Sequence, residues 1–239
     1  MKRIILAFLR AIYLVTVVGS AVYLGVHFAE RTPWYKQAVY HRLLVGSEQE
    51  RLRAASMLVQ LGGERQLLAG IKVDAAPTRA VARKALEFMW FNAAGPEARR
   101  QAEEAYVAAE QEQFQQALII LDRLVENFPK FAEAWNQRAS VYWHLGEIDK
   151  SLADSRRALV LNPRHYGALQ GVGACQMKLG HPQEALHFFR AALDIVPHDD
   201  ATREALKDCE ELLNKKQPGS DPKTAPVLER SREFAWLFR

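Results

Sequence analysis

Residues 135–163 read WNQRASVYWHLGEIDKSLADSRRALVLNP, and the proline that closes them is the middle member of a series, Pro129, Pro163 and Pro197, with a constant step of 34 residues. Other positions keep the same step: Ala105, Ala139 and Gly173; Ala117, Ser151 and Ala185; Leu124, Ala158 and Ala192; Gly146 and Gly180. A period of this length is the mark of a helical-hairpin repeat, in which each unit buries its apolar side only by stacking on its neighbours. The middle unit shows how. Small residues at Ala139 and Ser151 let its two helices approach closely, while Trp135 and Tyr142 fill the space towards the neighbouring unit. Gly146 supplies the left-handed turn that ends the first helix, and Pro163 stops the second.

The pattern formed by Trp135, Ala139, Tyr142, Leu145 and Gly146, closed by Ala158, Leu159, Leu161 and Pro163, resembles the tetratricopeptide repeat (TPR), over residues 98–214. The units on either side depart from it in places. The first has Gln101 where a large apolar residue is usual, Ala108 where Tyr is usual, and Glu112 at the turn glycine. Its second helix, with Phe114, Ala117, Leu118, Leu121 and Leu124, keeps the pattern. The third has Gln176 at the usual aromatic position but retains Leu169, Gly173, Leu179, Gly180, Ala185, Phe189 and Ala192. The resemblance implies three units, the first adapted to pack on what precedes it, with a concave groove lined by the first helix of each. In this register the groove-facing candidates are Tyr106, Asn136, Gln137, Ser140, Trp143, His144, Gln170, Ala174, Met177 and Lys178. Trp143 stands out, because Tyr142 beside it takes the core position and an exposed Trp is typical of a binding hot spot. Some TPR proteins grip the carboxylates of chaperone tails with Lys, Asn and Arg. The corresponding positions here are Ala102, Tyr106, Gln137, Gly167 and Gln170, so that clamp is missing and a partner recognised by neutral polar and aromatic contacts is expected.

After the repeats, residues 200–214 place Ala201, Ala205, Cys209 and Leu212 on one face and charged residues on the other, the design of a capping helix. Before them, Ser47 and Glu50 form a capping box ahead of a helix with Leu52, Ala55, Leu58 and Leu61, ended by Gly62 and Gly63. A second helix carries Leu67, Leu68 and Ile71. A third carries Val81, Ala82, Ala85, Leu86, Met89 and Trp90 and ends at residues 92–95. This part is similar to HEAT-type repeats, and such short amphipathic helices must pack on something, the adjacent first unit being the obvious partner. One continuous α-solenoid is therefore expected. The whole is all-α: an N-terminal anchor (residues 1–31), a HEAT-like segment (32–95), three TPR units with a capping helix (96–216), and a linker with an apolar tail (217–239).

Residues 11–29 form an apolar run of 19, close to the ~20 that span a bilayer, with His27 the only side chain that can carry charge near neutral pH. A single transmembrane helix is expected. A cleaved signal peptide is the alternative, since Gly19, Ser20 and Ala21 are small, but the apolar run continues well past them. Lys2, Arg3 and Arg10 precede the span while Arg31, Lys36 and Arg42 follow it, so charge leaves the orientation near a tie, tipped towards an exported body. Trp34 and Tyr35 either sit at the headgroup level or begin the folded domain. At the other end Pro218, Gly219, Ser220, Pro222 and Pro226 make a linker, and Val227, Leu228 and residues 234–238 an apolar tail that docks on the repeats, a membrane surface or a partner.

The net charge is +4, of which the first thirty residues hold +2 and the last twenty-three +1, leaving about +1 on a body too balanced for a nucleic-acid surface. No HExxH, Walker loop, G-x-S-x-G or CxxC is present. Gly171 and Gly173 begin like a dinucleotide fingerprint, but Gln176 takes the third position and no strand precedes them. Cys175 lies mid-helix, where a free Cys acts as a small buried hydrophobe. His144, His165, His181, His187 and His198 show no ligand spacing. The expected function is non-enzymatic, a scaffold binding a peptide or protein segment at a membrane, with no cofactor, metal, nucleic acid or small-molecule substrate. The alternatives are an exported, processed scaffold without an anchor, and an enzyme using Cys175 or a histidine.

Overall fold

The computed structural model describes residues 32–215, together with residues 13, 16–18 and 20. Within them all regular structure is helical, with no strand. No helix among the described residues is long and apolar enough to cross a membrane. The expected span at residues 11–29 lies outside them except for those few helical positions, and so do the linker and tail at 217–239. The chain falls into two compact units, Met1–Leu86 and Glu87–Arg239.

The first unit holds α1 (Pro33–Val45), α2 (Glu48–Gln60), α3 (Glu64–Ile71) and most of α4 (Ala76–Phe91). The three helices read from the sequence are α2, α3 and α4; α1 covers residues that the sequence left as a juxtamembrane piece. Trp34 and Tyr35 lie in its first turn, edge to face at 5.9 Å, and its Val39 and Leu43 are buried. The capping box opens α2: Glu50 Oε2 accepts the Ser47 amide at 2.7 Å, and the Glu50 amide donates back to Ser47 Oγ at 3.4 Å. That backbone hydrogen bond, with the Ser47 hydroxyl, holds the Glu50 carboxyl below its usual range. Leu43, Leu58, Leu67, Ile71, Ala82 and Leu86 form the interior. Gly70 has to be small, because a side chain there would stand 2.9 Å from Ala82 and 3.1 Å from Leu43.

The second unit is built of hairpins. α5 (Pro96–Glu110) pairs with α6 (Phe114–Asn127), α7 (Ala132–His144) with α8 (Ile148–Leu161), and α9 (Tyr166–Lys178) with α10 (Pro182–Ile195); α11 (Asp200–Lys215) closes the stack on α10. The 34-residue step reappears in hydrogen bonds. The amides of Gln113, Glu147 and His181 donate to the carbonyls of Ala108, Tyr142 and Gln176, each at 2.9 Å, and those of Glu112, Gly146 and Gly180 donate to Ala109, Trp143 and Met177. This paired bonding satisfies the last carbonyls of a helix and needs a left-handed residue at the turn. Gly146 and Gly180 provide it at φ 76° and 79°, and Glu112 adopts it at φ 60° in spite of its side chain.

Between hairpins the amides of Phe131, His165 and Asp199 donate to the carbonyls of Phe128, Asn162 and Val196. These are β-turns with Pro129, Pro163 and Pro197 at their second position, where a fixed φ costs nothing. Inside the hairpins the small residues are all interior: Ala105, Ala139, Ala117, Ser151 and Ala185 are fully buried, and a side chain on Gly173 would stand 2.7 Å from the Phe189 ring. Arg138 ties neighbouring hairpins together. It donates to Asp154 on α8 at 2.6 and 3.0 Å and to Asp122 on α6 at 2.8 Å, with its guanidinium 4.9 Å from the Trp135 ring centre. Burial works against its charge, but the two carboxylates outweigh it and raise its pKa further.

Two stability predictions follow from this geometry. A left-handed residue other than glycine costs about 1–2 kcal/mol, partly offset by glycine's greater freedom in the unfolded chain. Glu112→Gly is therefore expected to stabilise the protein by ~0.5–1 kcal/mol in urea melts, and Gly146→Ala to destabilise it by ~1 kcal/mol; a loss of stability in the first would contradict the strained turn. Arg138→Met leaves the buried Asp154 carboxylate unpaired and is expected to cost about 2–3 kcal/mol, much of it restored by adding Asp154→Leu.

Candidate functional site

The first helices of the hairpins are neighbours, α5 beside α7 and α7 beside α9, so their shared face is the candidate groove. On α7, Glu133, Asn136 and Gln137 lie within one turn. Gln137 Nε2 donates to Glu133 Oε1 at 3.4 Å, and the buried Oδ1 of Asn136 and Oε1 of Gln137 have no hydrogen-bond partner among the described residues. Across from them His165 caps α9. Its Nδ1 accepts the Ala168 amide at 3.2 Å, which places the ring proton on Nε2, facing Glu133 Oε2 at 3.0 Å. Further along, Gln170 Nε2 donates to Thr202 Oγ1 at 2.6 Å, and Thr202 donates to Asp199 Oδ1, the cap of α11.

The contacts over His165 come from far back in the chain. The Trp90 ring stacks on His165, centre to centre 5.1 Å and tilted by 22°, and meets Tyr166 at 5.7 Å. The Tyr166 hydroxyl donates to Glu87 Oε1. Trp90, His165 and Tyr166 are 9%, 4% and 6% exposed, so these rings form a closed stack. Tyr106 of α5 is 48% exposed, and its phenol is pushed up by burial and then by the carboxylates of Glu110 and Glu87.

Asn136 and Gln137 share the Glu133 turn of α7, while Gln170 of α9 is buried against Thr202 of α11; Tyr106 is exposed on α5 and Ser140 half-buried on α7. Others are elsewhere. Trp143 is only 7% exposed and packs with Ala174, Cys175, Met177 and Phe189, which corrects its reading as an exposed anchor. Ala174 and Met177 are interior as well, Met177 accepting the Cys209 thiol at 3.1 Å. The reason is stacking: the last turn of each first helix is covered by the following unit, so positions 143 and 177 face a neighbour rather than a groove. Tyr142, expected in the core, is the half-exposed member of the pair, with Lys150 Nζ 5.3 Å from its ring centre. His144 is exposed but lies flat against Phe114 at 5.2 Å, and Lys178 is exposed at the end of α9. The sequence reading missed Glu87, Trp90, Glu133 and Tyr166. Only the phase of His165 with the cap Asp199 hinted at this cluster.

Cys175 donates to Ser151 Oγ at 3.4 Å, and burial pushes its thiol up to about 11 and that of Cys209 up to about 12. Neither is a poised nucleophile. Among the described residues no group of three or more His, Cys, Asp or Glu could hold a metal ion.

The chain carries tetratricopeptide repeats: the tetratricopeptide repeat family model matches residues 102–160. A TPR repeat-containing protein of Rhizobium etli is 35% identical over 106 residues, 44% of this chain and 52% of its own length. Hsp70-Hsp90 organizing protein 1 of Glycine max is 26% identical over 123 residues, 52% of this chain and 21% of that protein. The chain therefore spans about half of the first relative and about a fifth of the second. The crystal structure of the Sgt2 TPR domain from Aspergillus fumigatus is similar at a TM-score of 0.50 and 18% identity, over 55% of this chain and 89% of that one, a likeness of fold.

The thiols supply a pH test. With a pKa of about 11, roughly a thousandth of Cys175 is thiolate at pH 8, against about a quarter of an ordinary thiol. Labelling of the native protein by Ellman's reagent is expected to be slow and to keep rising past pH 9, where a free thiol has levelled off; denaturant should release both thiols at once. A native thiol that reacts at the rate of free cysteine near pH 8 would contradict the burial.

Proposed function

We propose that this chain is a membrane-anchored interaction scaffold whose α5, α7 and α9 bind a segment of a partner protein along their shared face. The observation that carries this reading is the pair of buried acceptors, Asn136 Oδ1 and Gln137 Oε1, on the polar strip of α7. A buried polar atom without a partner costs free energy, and on a shared helix face that cost is recovered when a ligand brings N–H donors. The repeats supply a rigid frame for those acceptors. The buried, strongly protonated thiols favour a binding role over catalysis by cysteine.

The lack of a basic set at Ala102, Tyr106, Gln137, Gly167 and Gln170 argues against a chaperone-tail carboxylate as ligand, although relatives include Hsp70-Hsp90 organizing proteins. Anchoring by residues 11–29 rests on their apolar length, and the exposed helical Tyr13, Val17 and Val18 suit a lipid-facing surface. In this reading the repeats lie on the exported side.

The test is affinity capture from native membranes with the wild type and an Asn136→Ala, Tyr106→Ala variant of equal helicity. A partner retained by the wild type and reduced at least tenfold with the variant is expected. Equal capture by both would place recognition elsewhere.

A further inference from the structure

We infer that the shared face of α7 and α9 recognises a helical segment that presents a carboxylate and, three residues later, an aromatic ring, and that residues 87–90 of this chain hold that place at rest. This rests on the scaffold reading above and names the chemistry of its ligand.

Glu87 and Trp90 are three residues apart on α4, so they project from one side of that helix. Both reach the first turn of α9. Glu87 accepts from the Tyr166 hydroxyl, and Trp90 lies on the His165 and Tyr166 rings. A carboxylate at the start of a helix also meets the positive end of its dipole. The platform is fixed independently of its occupant, since His165 is held by the Ala168 amide on one ring nitrogen and Glu133 on the other.

The occupant does not use everything on offer. Gln137 is nine-tenths buried beside Glu133, and among the described residues neither its Oε1 nor the buried Oδ1 of Asn136 has a hydrogen-bond partner. Phe88, between the two anchors, is 54% exposed and points away from the platform. A partner helix that repeats the acid and the ring and adds side-chain N–H donors for Asn136 and Gln137 makes more contacts than the resident segment and displaces it. The resident copy competes at high effective concentration, which lowers the apparent affinity for any partner until it is weakened.

The probe is a fluorescein-labelled peptide of sequence KALEFMWFNAA, residues 84–94 of the chain, titrated against the full chain in mild detergent. Weak binding to the wild type is expected, with at least tenfold tighter binding to Trp90→Ala and a severalfold gain for Glu87→Gln, and none with a probe whose Trp is replaced by Ala. Glu87→Gln carries the test if Trp90→Ala does not fold. Unchanged affinity in the folded variants, or equal binding of the Trp-less probe, would overturn the inference. A concentration-dependent dimer of the wild type that the probe dissociates would also overturn it, showing that the occupant comes from a second copy. Capture of a partner in the membrane experiment without any probe effect would leave the scaffold reading standing and remove only this one.

Discussion

The second unit depends on one constraint, that the two helices of each hairpin must come close enough for backbone and small side chains to touch. Ala105, Ala139 and Gly173 on the first helices and Ala117, Ser151 and Ala185 on the second recur at a step of 34 residues, and all are shielded from solvent. At Gly173 the approach is so close that the Phe189 ring occupies the space of a side chain. Packed interiors leave no slack for an added methyl group, so this spacing sets where each turn falls and how each unit presents its first helix to the next. The left-handed turn at residues 112, 146 and 180 follows from it, and in the first unit it is imposed on a glutamate. Packing there outweighs local preference.

The same stacking decides which residues remain for binding. A helix in the stack has one face on its hairpin partner and one on the next unit, and only the strip left between first helices is open to a ligand. On the α7 and α9 side Glu133 holds Gln137 at 3.4 Å and His165 at 3.0 Å, and the Trp90 ring lies over those of His165 and Tyr166. Arg138 is on the other side of α7, where Asp122, Asp154 and the Trp135 ring consume its charge in holding hairpins together. Two neighbouring residues of one helix, Gln137 and Arg138, thus point to different sides, Gln137 towards Glu133 and Arg138 towards the carboxylates of α6 and α8.

Much of this was legible in the sequence, for identifiable reasons. Periodicity reports local geometry, so the hairpins, the turn glycines Gly146 and Gly180, the prolines between units and the buried faces of Cys175 and Cys209 could all be read from spacing. Burial by a following unit is not local. Tyr142 and Trp143 look alike to a periodicity argument, and which one lies inside depends on Ala174 and Met177, a repeat further on. The Glu87–Tyr166 contact joins residues 79 apart, and no spacing rule reaches that far. Of the two readings left open for Trp34 and Tyr35, the start of the folded domain is the one that helix α1 bears out; the sequence could not choose because Pro33, Trp34 and Tyr35, next to an apolar run, are also the residue types of a membrane border.

The central claim is that the face shared by the first helices, rather than the opposite side, meets the partner. Site-specific photocrosslinking tests it most directly, with a photoreactive phenylalanine analogue placed either at Tyr106 on α5 or at Val160 on α8, which is 71% exposed. Crosslinks to a membrane-derived protein from position 106 and none from position 160 are predicted. Crosslinks from position 160 alone would contradict the account.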